Sequence, residues 1–138
     1  MGNLLTKKLT VHIRFPIEKY PEIQAIFNKT LNLLPYNVIE YFEKNPFVFS
    51  TETSDQRANA MMLTKNDFKD NDYMIHINHH VWEYDEKTIV DIILHEIAHV
   101  YLRHISDPKM STQTYDKQER EAEKLKNEWL ELARINKN

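Results

Sequence analysis

The chain has 138 residues, of which 41% are hydrophobic and 28% charged, and its formal net charge is −3. That length and balance suit a single domain over residues 1–138 with a core of its own, and they exclude a basic footprint for direct nucleic-acid binding. Cysteine is absent, which excludes a disulfide framework or thiolate metal site and fits a reducing cytoplasm; no apolar run reads as a membrane span or a signal peptide.

In chain order, Leu9 to Phe15 alternates and predicts a strand, with Val11, Ile13 and Phe15 on one face. Tyr20 to Leu34 predicts a helix with Pro21 in its first turn. Tyr36 to Lys44 is a shorter helix, ended by Asn45-Pro46. Phe47 to Thr51 and Ala58 to Leu63 read as strands. Tyr73 to Asn78 is another, with Tyr73, Ile75 and Ile77 on one face and Met74, His76 and Asn78 on the other. Asp85 to His104 reads as a helix, and a last helix follows Pro108. Gly2 is the only glycine, so turns and helix ends fall to Asn, Asp and Pro. Strands grouped between helices predict an α+β domain with a small twisted sheet.

The helix from Asp85 contains His95-Glu96-Ile97-Ala98-His99, an H-E-x-x-H motif. Two His four residues apart project from one helical face, where one metal ion can take both imidazoles. Glu96 then sits beside the metal as a proton acceptor for a bound water. Ile89, Val90, Ile93, Leu94, Ile97, Ala98, Val100, Tyr101 and Leu102 cover most of the helix circumference, so the helix is expected to be buried with one polar stripe. That context favours a metal site over a chance match or a hydrogen-bonded His pair.

A metal held by two His needs a third protein ligand and an open position. A third His six residues beyond His99 is excluded, because that position is Ile105. The helix after Pro108 offers acids in Tyr115-Asp116-Lys117-Gln118-Glu119-Arg120-Glu121-Ala122-Glu123. Leu125, Trp129, Leu132 and Ala133 read as its apolar stripe. Glu119 and Glu121 flank that stripe on opposite sides and Glu123 lies further round, so periodicity leaves Glu119 and Glu121 open. The bland alternative is a solvated acidic face near a helix N-terminus, where the dipole favours negative charge.

HEIAHVYLRH, followed some twenty residues later by E-R-E-A-E, resembles the ImmA/IrrE-type zinc metallopeptidases and, more broadly, the small single-domain gluzincins. The resemblance covers roughly Tyr73 to Leu132 and implies a zincin-like domain in which an active-site helix and a C-terminal glutamate helix pack with the sheet. It implies that Glu119 is the third Zn²⁺ ligand beside His95 and His99, and that Glu123 supports a ligand from behind. Ala98 stands where the family often has Gly, and Glu123 where it more often has Asn or Asp. The activity implied is endopeptidase cleavage of a protein or peptide, a regulator such as a transcriptional repressor being the expected substrate. Glu96 is the expected general base. Two alternatives come from other classes: an SprT-type DNA-associated protease, and a non-catalytic metal-stabilised interaction module.

His79 and His80 read as rim residues, since neighbours on a strand face opposite ways. His76 and His104 are candidates for the substrate cleft or for supporting a ligand from behind. His104 and Arg103 suit the negative end of a helix dipole; with Tyr84 and Tyr115 they are also the candidates for an oxyanion donor.

Overall fold

The computed structural model describes residues 21–45, 47–52, 58–63, 72–104 and 109–136. The strand expected at Leu9 to Phe15 lies outside them. Helix α1 (Pro21–Leu31) buries Phe27 and Leu31, four residues apart on one face. Pro35 sits immediately before helix α2 (Tyr36–Lys44) with an extended backbone, and its carbonyl accepts from the N–H groups of Val38 and Ile39. Helix α2 buries Val38 and Phe42. Asn45 ends it without glycine: its backbone N–H and its side-chain amide both donate to the Tyr41 carbonyl, at 2.9 and 3.0 Å.

Three strands follow: β1 (Phe47–Glu52), β2 (Ala58–Leu63) and β3 (Asp72–Asn78). Their order is β1-β3-β2, with β3 central, parallel to β1 and antiparallel to β2. Ile75 pairs with Phe49 on one side and Ala60 on the other, and both Ile75 and Ile77 are fully buried. A 3-10 turn (His79–Glu83) then leads into helix α3 (Glu86–Tyr101). Helix α4 (Thr112–Asn136) completes the described chain.

Helix α3 is the centre of the molecule. Ile89, Val90, Ile92, Ile93, Leu94, Ile97, Ala98 and Val100 are all buried on it, so it is apolar nearly all round, as a core helix must be. It packs against α1, α4, β2 and β3. Edge-to-face aromatic pairs tie the surrounding elements together: Phe42 with Phe47, Tyr41 with Tyr101, and Tyr101 with Trp129, at ring-centroid distances of 5.2, 5.0 and 5.9 Å. Such pairs join α2, β1, α3 and α4 through favourable quadrupole geometry.

The expectation of an α+β, zincin-like domain organised on a small twisted sheet is overturned. The described residues are predominantly helical. Helices of 11, 9, 16 and 25 residues stand against strands of 6, 6 and 7. The physical reason lies in length: the helical periodicity of the last two helices runs for 16 and 25 residues, while turn formers such as Asp70 and Asn71 confine the strands to 6 or 7.

Candidate metal centre

The helix that carries the His pair starts where its sequence predicts. Asp85 has an extended backbone, Ile89 N–H donates to its carbonyl, and its carboxylate accepts from the Thr88 hydroxyl. From there the 3.6-residue repeat sets His95 and His99 one turn apart, with ring centroids 4.8 Å from each other. Their Nε2 atoms lie 3.2 Å apart.

Helix α4 meets this pair with a stripe the hydrophobicity pattern does not show. Glu119, Ala122, Lys126 and Trp129 follow one another at spacings of three, four and three, one face of a helix. Ala122 and Trp129 are buried there, and Lys126 is only 3% exposed. The small Ala122 lets the two helices approach, and Glu119 reaches across. Its Oε2 lies 3.0 Å from His95 Nε2 and its Oε1 lies 2.9 Å from His99 Nε2.

Those three distances match the edge of a coordination polyhedron. Ligand atoms about 2.0 Å from a tetrahedral ion are separated by roughly 3.3 Å. Among the described residues, His95, His99 and Glu119 are the group whose donor atoms converge, all within 4.8 Å of one another, and they could hold a metal ion. The periodicity had left Glu119 and Glu121 equal; the structure brings Glu119 to the His pair and sends Glu121 elsewhere.

The chemistry of the donor set agrees. Glu123 Oε1 lies 2.9 Å from His95 Nδ1. A carboxylate can only accept, so Nδ1 carries a proton, and an ion on Nε2 would take the place of the proton that Glu119 otherwise accepts there. Glu123 is itself oriented by Lys126, whose Nζ lies 2.8 Å from Glu123 Oε2 and 2.8 Å from Asp91 Oδ1. The hydrogen bond from Lys126 lowers the Glu123 carboxyl below its ordinary value, burial opposes this, and His95 adds to the lowering. Burial works to lower the Lys126 ammonium, but its hydrogen bonds to Asp91 and Glu123 outweigh that, and its pKa is raised. A carboxylate behind a ligating imidazole fixes both tautomer and ring angle.

His99 is held neutral. Burial pushes its pKa down to about 4; Glu119 works the other way, and the charges of His95 and His104 add to the lowering. A neutral imidazole is the ligating form. Glu96 is also buried, at 8% exposed, one residue beyond His95. Its carboxylate and that of Glu119 both act on the Tyr115 phenol: the Glu119 charge, then burial, then the Glu96 charge raise it. Tyr115 lies one turn before Glu119 on α4, so Glu96, Glu119 and Tyr115 share one region.

His104 also joins the cluster, from beyond the helix. Its Nδ1 lies 2.9 Å from His99 Nδ1, and its Nε2 lies 3.1 Å from Glu121 Oε1. His79 and His80 are in the 3-10 turn, not on a strand. His76 pairs across the sheet with Ser50 and Asn59; its side chain lies outside the described set, so its place in a cleft is not settled by contact. Leu132, counted in the apolar stripe, is exposed.

Sequence reasoning missed Asp91 and Lys126. The signals were spacing signals: Asp91 is one turn before His95, and Lys126 is one turn after Glu123. A charged residue is scored as surface by any hydropathy pattern, so an ion pair with Lys126 buried and Asp91 half-exposed was invisible to it. Among the described residues, no helix is long and apolar enough to cross a membrane. Comparison with protein-family models, with curated proteins and with solved structures finds no match to this chain, so a functional reading has to rest on these residues themselves.

Proposed function

We propose that this chain is a zinc-dependent peptidase that hydrolyses peptide bonds of a protein substrate. The observation that carries the reading is the convergence of His95, His99 and Glu119 at 2.9–3.2 Å beside the buried Glu96. Two His and one carboxylate with an open fourth position form a catalytic zinc donor set. When bound, the ion supplies a Lewis acid and a water acidified toward neutrality. The chain's own residues do the rest. His95 and His99 hold the ion through neutral rings, and Glu119 adds the negative charge that compensates a dication. Glu96 takes the water proton and returns it to the leaving amine. Tyr115, exposed and one turn before Glu119 on α4, has a phenol proton to offer a developing oxyanion. The likeness of HEIAH and EREAE to the ImmA/IrrE-type metallopeptidases supports the same reading and suggests a regulatory protein as substrate.

Glu96→Gln separates an enzyme from a metal-stabilised module. The variant should keep its metal and melting temperature and lose hydrolysis by ~10²–10⁴-fold. Metal analysis of the purified protein should return zinc, and Glu119→Ala should weaken zinc binding far more than Glu121→Ala. Equal hydrolysis by wild type and Glu96→Gln, or zinc retained after both His95 and His99 are changed to Ala, would reject the proposal.

A further inference from the structure

Helix α3 does not simply stop after Tyr101. Arg103 adopts φ 60°, the left-handed conformation. Its N–H donates to Val100 O, and the N–H of His104 donates to His99 O at 3.0 Å. These two bonds, one spanning six residues and one spanning four, are the Schellman termination of a helix. Glycine normally supplies the left-handed residue, and here an arginine does so against a steric cost. The reversal turns the chain back, and the residue it returns is His104. His99 and His104 are thus joined twice, by backbone and by ring.

With an ion on His99 Nε2, the ring contacts fix where the remaining protons are. His99 Nδ1 then carries the ring's proton, and His104 Nδ1, 2.9 Å away, accepts it. His104 in turn donates from Nε2 to Glu121 Oε1, 3.1 Å away, because a carboxylate can only accept. His95 is held the same way by donating Nδ1–H to Glu123. Both Nε2 atoms then face Glu119, and the ion takes the place of the protons that this carboxylate would otherwise accept.

We propose that His104 is a positioning residue for the metal centre: it accepts the Nδ1 proton of His99, gives its own Nε2 proton to Glu121, and so holds His99 Nε2 toward the ion. The two ligating imidazoles are oriented differently. His95 has an ionic support in Glu123, backed by Lys126 and Asp91. His99 has an imidazole, with a carboxylate one step further out.

The inference rests on His99 as a ligand, and its test reads zinc affinity and ring protons, not hydrolysis. Zinc affinity follows from competition with a chromophoric chelator, and NMR of the zinc-loaded full chain reports the exchange of the His99 Nδ1 proton. Zinc-loaded wild type should show that proton protected from exchange by its hydrogen bond to His104. His104→Leu keeps bulk and removes the acceptor; it should lose that protection and weaken zinc by about 10–100-fold, the usual cost of losing an outer partner. His104→Asn restores an oxygen acceptor near Nδ1 and should recover most of the affinity. Glu121→Leu, at the exposed end, should shift both readouts in the same direction by less and leaves the packing at His104 intact. Equal zinc affinity in wild type and His104→Leu would overturn the inference, as would His104→Asn binding zinc as weakly as His104→Leu. If wild type takes up no zinc, the peptidase reading itself fails; if wild type binds zinc and His104→Leu binds it equally well, only the role of His104 fails.

Discussion

Arg103 occupies a backbone conformation that costs an L-residue with a Cβ on the order of 1 kcal/mol. Its left-handed φ brings His104 back to His99, so the strained residue and the site are neighbours. Arg103→Gly should keep the helix termination and raise the melting temperature by a few degrees, equivalent to about 1 kcal/mol; a drop on a thermal melt would show that the arginine side chain contributes more than its backbone costs. His99 gives a second prediction at this scale. Its folded pKa is lowered from 6.5 to about 4 by burial. A base whose folded pKa is depressed binds fewer protons folded than unfolded, so stability is complete above the unfolded value and falls with the pH between them. Metal-free protein should lose on the order of 3 kcal/mol between pH 6.5 and pH 4 by denaturant titration. A flat profile over that window in the metal-free protein would contradict the neutral, buried ring.

At the scale of elements, the site is a seam between α3 and α4. Ala122 sits in that seam between Glu119 and Lys126 and is fully buried. Ala122→Leu should overfill it, destabilise the protein by about 1–3 kcal/mol, and weaken metal binding by moving Glu119 off the His pair. Unchanged metal affinity in a folded Ala122→Leu variant would mean that the helices do not need their close approach. The same seam explains what could be read from the sequence. His95, Glu96 and His99 were legible because a helix repeat alone puts them together. The ends of α2 and the extent of β2 were legible because Pro35, Asn45 and the apolar run Ala58–Leu63 mark them locally. The choice between Glu119 and Glu121 was not. The inward stripe of α4 runs through Lys126, and a pattern that scores lysine as solvent-facing rotates the stripe away from its true position. The weight of helix over sheet was also hidden, because a local pattern marks a strand without saying what share of the molecule the sheet will make up.

At the scale of the whole molecule, the strand pairings and the candidate metal centre differ in whether their elements can form before they meet. Strand β1 pairs in parallel with β3 across the intervening β2, as in Phe49 with Ile75. The centre is built from two helices that follow one another directly, α3 and α4. Removal of zinc should lower stability by the binding linkage, ~2.7 kcal/mol when free metal is 100 times its dissociation constant. The topology adds a kinetic consequence. The chain lengths to be closed are alike, but each helix can form from its own local hydrogen bonds, whereas the strands gain theirs only on pairing. The helical hairpin can therefore capture its ion before the strands have met, and the ion then acts as a staple on the folding nucleus. Stopped-flow refolding should be faster with zinc present than with chelator, and Glu119→Ala should slow the zinc-assisted phase. If zinc slows unfolding and leaves the refolding rate untouched, the ion arrives after the barrier and the sheet sets the pace.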